Sequence, residues 1–355
     1  MRKTLGSKTL GLLVGLLTLS RLAAAQASES VGHYPLPDSS DIVGRVQTVE
    51  TSGEETLIDI GLRHGVGYNA MVRANPETNV WVPGEGTEVV VPTRYILPPG
   101  PHEGIVVNLA EMRLYYYPDT PQGKTPRVET YPIGIGRMDW QTPLGRTTVT
   151  AKVENPAWYP PQSIIAERAK RGETLPSVVP PGPDNPLGKH ALILDLPGYL
   201  IHGTNRPAGV GMRVSHGCIR MLPGDIADLI HRVPVGTPVR LVKEPVKFGW
   251  DAAGILHVQA YPAQVAADDG ADAHIAEAMN AATRAASGRR FLVDYRRLKE
   301  QLEAPDGMPT ALLLAGRPFP LPEPVLTFFE RAQLIPSLYS RVATSPAGKP
   351  LMQPE

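Results

Sequence analysis

Cysteine is almost missing from this chain: Cys218 is the one such residue among 355. An intrachain disulfide is thereby excluded, so the thiol is free, bridges to another molecule or reacts. A surplus of charge of either sign is also missing, with 35 basic and 35 acidic residues. No basic patch large enough to suggest nucleic acid or an anionic membrane as partner follows from that balance. Long hydrophobic runs are absent too. The apolar stretch Leu10 to Leu19 carries no charge but falls short of the roughly 20 residues a bilayer span needs. No internal repeat is present, and no cysteine follows the apolar stretch to take a lipid anchor.

What stands at the N-terminus has three parts. Arg2, Lys3 and Lys8 precede the apolar stretch, and Ala23-Ala24-Ala25 or Ala25-Gln26-Ala27 supplies small residues for cleavage. This is the pattern of a secretory signal over residues 1–25, with no transmembrane span expected after cleavage. Removing Arg2, Lys3, Lys8 and Arg21 leaves 31 basic against 35 acidic residues. An exported protein ordinarily pairs its cysteines. A lone thiol there, with histidines nearby, therefore favours the reactive reading.

Proline is abundant, with 38 residues or about twice the usual share of about 5%. Loop-rich β structure is expected rather than a helical bundle. Residues 26–41 read as a linker. In 42–95, Gly44 to Val49 alternates like a strand, Thr56 to His64 and Tyr68 to Ala74 read as short helices, and Glu88 to Pro92 as a closing strand. This strand–helix–helix–strand order resembles a LysM module, which implies peptidoglycan binding.

From Gly104 the texture is that of strands. Ile105 to Leu109 and Met112 to Tyr117 flank Ala110-Glu111, a hairpin signal. Val128 to Ile135, Arg146 to Val153, Ala191 to Leu194, Tyr199 to His202 and Pro238 to Val242 continue it, with Gly134 and Gly136 as candidate bulges. Ser163 to Lys170 and Asp225 to Val233 read as helices. A mainly β, mostly antiparallel domain is expected over 100–245. Its Pro- and Gly-rich stretch 155–189 is long enough to be a lid or a substrate wall, with Trp158 and Tyr159 as groove candidates. Residues 246–355 read as an extension, helical over Ala271 to Ala286 and Asp294 to Leu302, with a disordered tail after Ala343.

The chemistry concentrates in Ile201-His202-Gly203-Thr204 and Ser215-His216-Gly217-Cys218-Ile219-Arg220-Met221. A thiol attacks as thiolate, and a nearby histidine lowers its pKa from about 8.5. The histidine must then deliver a proton to the leaving amine. Two qualify. His216 shares a side with Cys218 if the segment is extended, and His202 can approach across a sheet. Gly217 and Cys218 offer backbone N–H groups for an oxyanion hole, where one donor is worth about 3–4 kcal/mol. Arg220 alternates with Cys218 and suits a substrate carboxylate, and Arg213 is a second candidate. Thr204 and Ser215, inside the two runs, complete the substrate-contact candidates.

These two runs, together with His102-Glu103-Gly104-Ile105-Val106, Arg113-Leu114-Tyr115-Tyr116-Tyr117, Pro132-Ile133-Gly134-Ile135-Gly136 and Pro181-Gly182-Pro183-Asp184-Asn185-Pro186, resemble the YkuD-domain L,D-transpeptidases. The group most like it is that of the periplasmic ErfK, YbiS and YcfS proteins. The resemblance spans roughly residues 40 to 247. It implies a YkuD-type β-sandwich, Cys218 as nucleophile, His202 as base with its ring oriented by the Gly203 carbonyl, and His216 on the oxyanion side. It also implies peptidoglycan tetrapeptide stems as donors and a lipoprotein lysine or a second diaminopimelate as acceptor. No cofactor or metal is implied. The alternatives are an L,D-carboxypeptidase, a non-catalytic peptidoglycan-binding protein, and a zinc site built on His202, His216 and Cys218. The spacing of that last set matches no short zinc motif.

Overall fold

A computed structural model of the chain describes residues 31–137, 139–262, 271–289 and 291–314. The expected signal segment and the tail after Ala343 lie outside them. Alternation is the organising pattern from the start. β1 (His33–Pro35) and β2 (Ile42–Glu50) are followed by helices α1 (Leu57–Arg63) and α2 (Tyr68–Ala74), then by β3 (Glu88–Ile96). Thr56 caps α1 in a capping box with Asp59, which satisfies end N–H groups on both sides. β2 and β3 pair antiparallel over nine positions, Ile42↔Ile96 to Glu50↔Glu88. Leu57, Ile60, Val66, Met71, Val89 and Val91 form a small core beneath the helices. The strand–helix–helix–strand order read from the sequence is present. The linker reading of 26–41 needs correction, because β1 lies inside it. Its residues pair with the 127–129 backbone, and Tyr34 and Leu36 pack against buried tyrosines and valines. Those two apolar side chains give the segment a surface to bury.

The central domain holds β4 (Gly104–Asn108), β5 (Arg113–Tyr117), β6 (Arg127–Gly136), β7 (Gly145–Glu154), α3 (Gln162–Ala169), β8 (His190–Leu194), β9 (Leu200–His202), β10 (Arg213–Ser215), β11 (Ile219–Met221), α4 (Pro223–Arg232) and β12 (Pro238–Val242). The fold is mainly β, as expected. β5 pairs with both β4 and β6, so eight strands run β6-β11-β9-β8-β7-β12-β4-β5 and return to β6. Within this ring β11–β9 and β12–β4 are parallel and the rest antiparallel. The expected sandwich is thus closed at its edges. Inside sit Ile105, Val107, Leu114, Ile133, Leu192, Ile201, Ile219 and Met221. The apolar face of α4, Ile226, Leu229 and Ile230, packs into the same core. Full burial of each such side chain contributes about 1.5–3 kcal/mol.

β4 and β5 are buried on both faces, which explains their near-continuous apolar runs. Val106, Tyr115 and Tyr117 turn away from the ring and pack on Val43, Tyr95 and Leu97 of the N-terminal module. Beyond β12 the chain forms β13 (Val246–Trp250), β14 (Leu256–Ala260), α5 (Ala271–Ala286), α6 (Tyr295–Glu303) and β15 (Thr310–Ala311). The two helices are those expected, while the three-stranded sheet β13-β14-β15 was not legible. The three parts meet at Glu111. Its carboxylate accepts from Lys247 at 2.8 Å, Tyr115 at 2.6 Å and Tyr261 at 2.9 Å, all buried. Lys247 also donates to the Ile96 carbonyl at 2.5 Å. Arg113, buried nearby, donates to Thr130 and to the Gly65 carbonyl and lies over the Tyr95 ring. A buried charge without such partners would be costly, so this junction favours a single docking arrangement.

Candidate active site

β9 and β11 run parallel, with Ile201 opposite Ile219 and His202 opposite Arg220. Ile201 and Ile219 point into the ring core. Side chains alternate along a strand, so Cys218, Arg220 and His202 share the other face. The thiol is half-buried and donates to the Gly198 carbonyl at 3.6 Å. Neither imidazole hydrogen-bonds it. Burial pushes the thiol pKa up, and the Leu200 N–H and the Arg220 charge oppose that shift. In this resting geometry no imidazole offsets the burial, which favours the neutral thiol.

His202 is buried, and its Nδ1 lies 2.6 Å from the Gly203 carbonyl oxygen. Burial, and then the Arg220 guanidinium, push its pKa down to about 4. The ring is neutral at pH 7, so Nδ1–H donates to Gly203 and a lone pair is left on the other nitrogen. Arg220 itself is depressed by burial, with the Cys218 side chain opposing that shift and the Arg206 charge adding to it. Its Nε is buried without a partner. Among the described residues no carboxylate pairs with Arg220.

His216 lies elsewhere. Gly217 sits at φ +106, so the extended alternation that would align His216 with Cys218 is broken there. A Cβ at Gly217 would also meet the Tyr199 ring at 2.9 Å. His216 Nε2 instead contacts Glu167 of α3 at 2.8 Å, and its ring meets Trp140 edge-on. Gly136 lies where the β10–β6 register shifts, as expected of a bulge, and it also permits close approach, since a Cβ there would lie 2.0 Å from the Trp140 carbonyl and 3.0 Å from Gly217 Cα.

The remaining candidates divide. Ser215 is buried; its hydroxyl donates to the Cys218 carbonyl at 2.6 Å and accepts from the Gly217 N–H at 3.2 Å. Of the two expected oxyanion donors, Gly217's is thus engaged within the turn. Thr204 is buried and accepts from the Arg206 N–H at 3.0 Å. Both hydroxyls brace loops. Arg213 is half-buried with an unpartnered Nε, and burial alone depresses it, with no charged neighbour acting. Trp158 pairs through its backbone with Val179, and Tyr159 is exposed. Sequence reasoning missed Arg206, Arg137, Trp140, Thr142 and Glu167. Thr142 donates to the Gly217 carbonyl at 2.7 Å. Glu167 sits on α3 and the others in loops, and only the ring topology sets their approach to the Ser215–Cys218 turn, so no local spacing signals them. Among the described residues, no group of three or more His, Cys, Asp and Glu side chains is gathered that could hold a metal ion. Nor is any helix among them long and apolar enough to cross a membrane.

A β ring that presents a thiol, a neutral imidazole and a guanidinium on one face is the frame of a cysteine acyl-transfer enzyme. Residues 102–241 match the L,D-transpeptidase catalytic domain, YkuD. The chain is 41% identical over 295 residues to the probable L,D-transpeptidase ErfK/SrfK of Salmonella typhimurium, covering 80% of this chain and 92% of that protein. It is 43% identical over 232 residues to the probable L,D-transpeptidase YbiS of Escherichia coli K12, covering 64% and 74%. With the probable L,D-transpeptidase YcfS of the same organism it shares 42% over 255 residues, covering 69% and 78%. The chain belongs to the L,D-transpeptidase family, and it is an enzyme of that activity.

Proposed function

We propose that the protein works in the periplasm on peptidoglycan tetrapeptide stems, with Cys218 as nucleophile and His202 as base. The thiol turns from Gly198 toward the imidazole as the donor enters. Sulfur attacks the carbonyl of the third residue, diaminopimelate, and the thiol proton passes to His202. The imidazolium returns that proton to the departing D-alanine amine, which leaves a thioester on Cys218. An acceptor amine then attacks the thioester, loses its proton to His202, and the thiol is restored. A lipoprotein lysine or a second diaminopimelate supplies that amine; with water in its place the reaction is an L,D-carboxypeptidation. The observation that carries this reading is the neutral, buried His202 held by the Gly203 carbonyl on the same face as Cys218. Incubation of the purified protein with sacculi, followed by mass analysis of the muropeptides, tests it. Loss of D-alanine with a new amide to diaminopimelate or lysine is expected. Unchanged tetrapeptides would overturn the reading.

Arg220 is expected to read a carboxylate of the donor stem, because its buried guanidinium has no carboxylate partner among the described residues. A planar fork grips a carboxylate in a way an ammonium does not. Arg220→Lys should lower donor kcat/KM and Arg220→Ala should lower it roughly ten- to a hundredfold, the scale of a charge-assisted hydrogen bond. The measurement compares a normal stem with one whose diaminopimelate carboxylate is amidated. Equal costs of amidation in wild type and Arg220→Ala would show that Arg220 does not read that group.

The 42–95 module is the reading's wall-binding part. Trp81 and Val82 are exposed at 63% and 72% beside Pro83, and both backbone N–H groups are held by Asn79. Trp81→Ala with Val82→Ser should weaken pull-down on sacculi while sparing reaction with a small soluble donor. Undiminished pull-down would leave the module as a spacer.

A further inference from the structure

We propose that Glu167, on α3 of the 155–189 insertion, is a positioning residue for the reaction: it holds His216 and Arg137 so that the Ser215–Cys218 turn keeps one shape against the donor. The inference rests on the reading of Cys218 as nucleophile. Three contacts converge on this carboxylate. His216 Nε2 lies 2.8 Å from Oε2. Arg137 donates through both terminal nitrogens, at 3.0 Å to Oε1 and 3.2 Å to Oε2. Arg171, in the turn just past the end of α3, adds a contact of 2.8 Å. The two-pronged guanidinium contact fixes orientation as well as distance.

Arg137 ties the carboxylate to the catalytic turn a second time. Its backbone N–H donates to the Ser215 carbonyl at 3.0 Å, and its guanidinium is braced from behind by Asp139. Ser215 in turn holds the Cys218 carbonyl and the Gly217 N–H. Glu167 thus reaches the turn through His216 on one side and through Arg137 and Ser215 on the other. With Nε2–H directed at a carboxylate, His216 has Nδ1 left to face the donor.

The insertion does not need Glu167 to keep its own shape. Buried Asn185 already closes it, donating to the Pro156, Val179 and Pro180 carbonyls and accepting from the Leu187 N–H. Trp158 and Val179 exchange two backbone hydrogen bonds, at 2.9 and 2.8 Å. Arg171 apart, the partners of Glu167 belong to the catalytic side.

The test uses the full chain with Glu167→Gln, which keeps size and one acceptor, and Glu167→Ala, which keeps neither. Four quantities are compared: kcat and KM for a soluble tetrapeptide donor, the rate of Cys218 alkylation by iodoacetamide, and the effect of Glu167→Ala in a His216→Ala background. Glu167→Ala should lower kcat about tenfold or more, with Glu167→Gln between it and wild type, while KM and the alkylation rate change less than about threefold. Added to His216→Ala, it should cost clearly less than it does in wild type, the remainder being the Arg137–Ser215 route, because residues acting through one another are not additive. Full additivity, or an unchanged kcat in both variants, would overturn the proposal. Early melting of the alanine variant leaves the decision to the isosteric glutamine. Activity surviving in Cys218→Ala would instead overturn the reading on which this one rests.

Discussion

Cys218→Ala should remove transpeptidation altogether, a loss of roughly 10⁴-fold or more, on the scale seen when a covalent nucleophile is deleted. No acyl-enzyme should form with a donor stem. A carbapenem, which should add its mass to the wild-type chain at this sulfur, should leave the variant unmodified. The fold should survive. The side chain is half-buried and its one hydrogen bond, to the Gly198 carbonyl, is a weak one at 3.6 Å. Melting within a few degrees of wild type is therefore expected, since about 1 kcal/mol moves Tm by a few degrees in a domain of this size. Mass spectrometry of the intact protein after carbapenem treatment decides the point. An adduct on Cys218→Ala, or on any other residue of the wild type, would remove the sulfur from its assigned role.

The same thiol should be slow toward alkylating reagents at neutral pH. Burial raises its pKa above that of an ordinary cysteine, and the Leu200 N–H and Arg220 only partly offset that. Little thiolate is present at pH 7, so reaction with iodoacetamide should climb as pH rises past 8. This differs from a cysteine held ionised by an adjacent imidazolium, which alkylates readily at low pH. The resting pair here is thiol and neutral imidazole, and the proton moves only as the carbonyl is attacked.

Much of this was legible in the residues. The alternation of Ile105 to Leu109 with Met112 to Tyr117 announced a hairpin, and β4 and β5 form it. The i, i+3, i+4, i+7 pattern of Ile226, Leu229, Ile230 and Val233 announced α4, whose apolar face enters the ring core. What stayed hidden has physical causes. β13 and β14 were missed because Lys247, His257 and Gln259 are polar yet buried, so their alternation does not read as apolar against polar. Lys247 and Gln259 bond across the junction to Glu111 and β3, contacts of high sequence separation, while His257 meets Asp251 at 2.9 Å. The geometry around the two histidines was hidden for a different reason. One positive φ at Gly217 turns His216 away from the thiol, and strand pairing 16 residues upstream brings His202 level with Arg220. Neither follows from spacing alone. Glu167 lay on an expected helix in a proline-rich stretch read as a lid or a substrate wall, and its meaning depends on where the ring carries α3.

His202→Ala should lower acylation by roughly 10²–10⁴-fold, the usual worth of a positioned general base. Alanine also leaves a cavity and an unpaired Gly203 carbonyl, so a second variant separates chemistry from packing. His202→Asn keeps an N–H where Nδ1 stood but has no lone pair able to take the thiol proton. It should melt closer to wild type and be nearly as inactive. The pH profile supplies the sign. The imidazole accepts a proton only when neutral, and its pKa is pushed down to about 4. Acylation should therefore hold its rate as pH falls through 6.5, where an ordinary histidine would already be protonated, and decline only near pH 4. Arg220 contributes the smaller part of that depression and burial the larger. In Arg220→Ala the acid limb should accordingly move upward yet remain below 6.5. Rates of carbapenem acylation measured from pH 3.5 to 8 on wild type and Arg220→Ala check both statements. An acid limb at 6.5 in the wild type would mean that the proton acceptor is a more exposed histidine, and His202→Asn would then acylate at a near-normal rate.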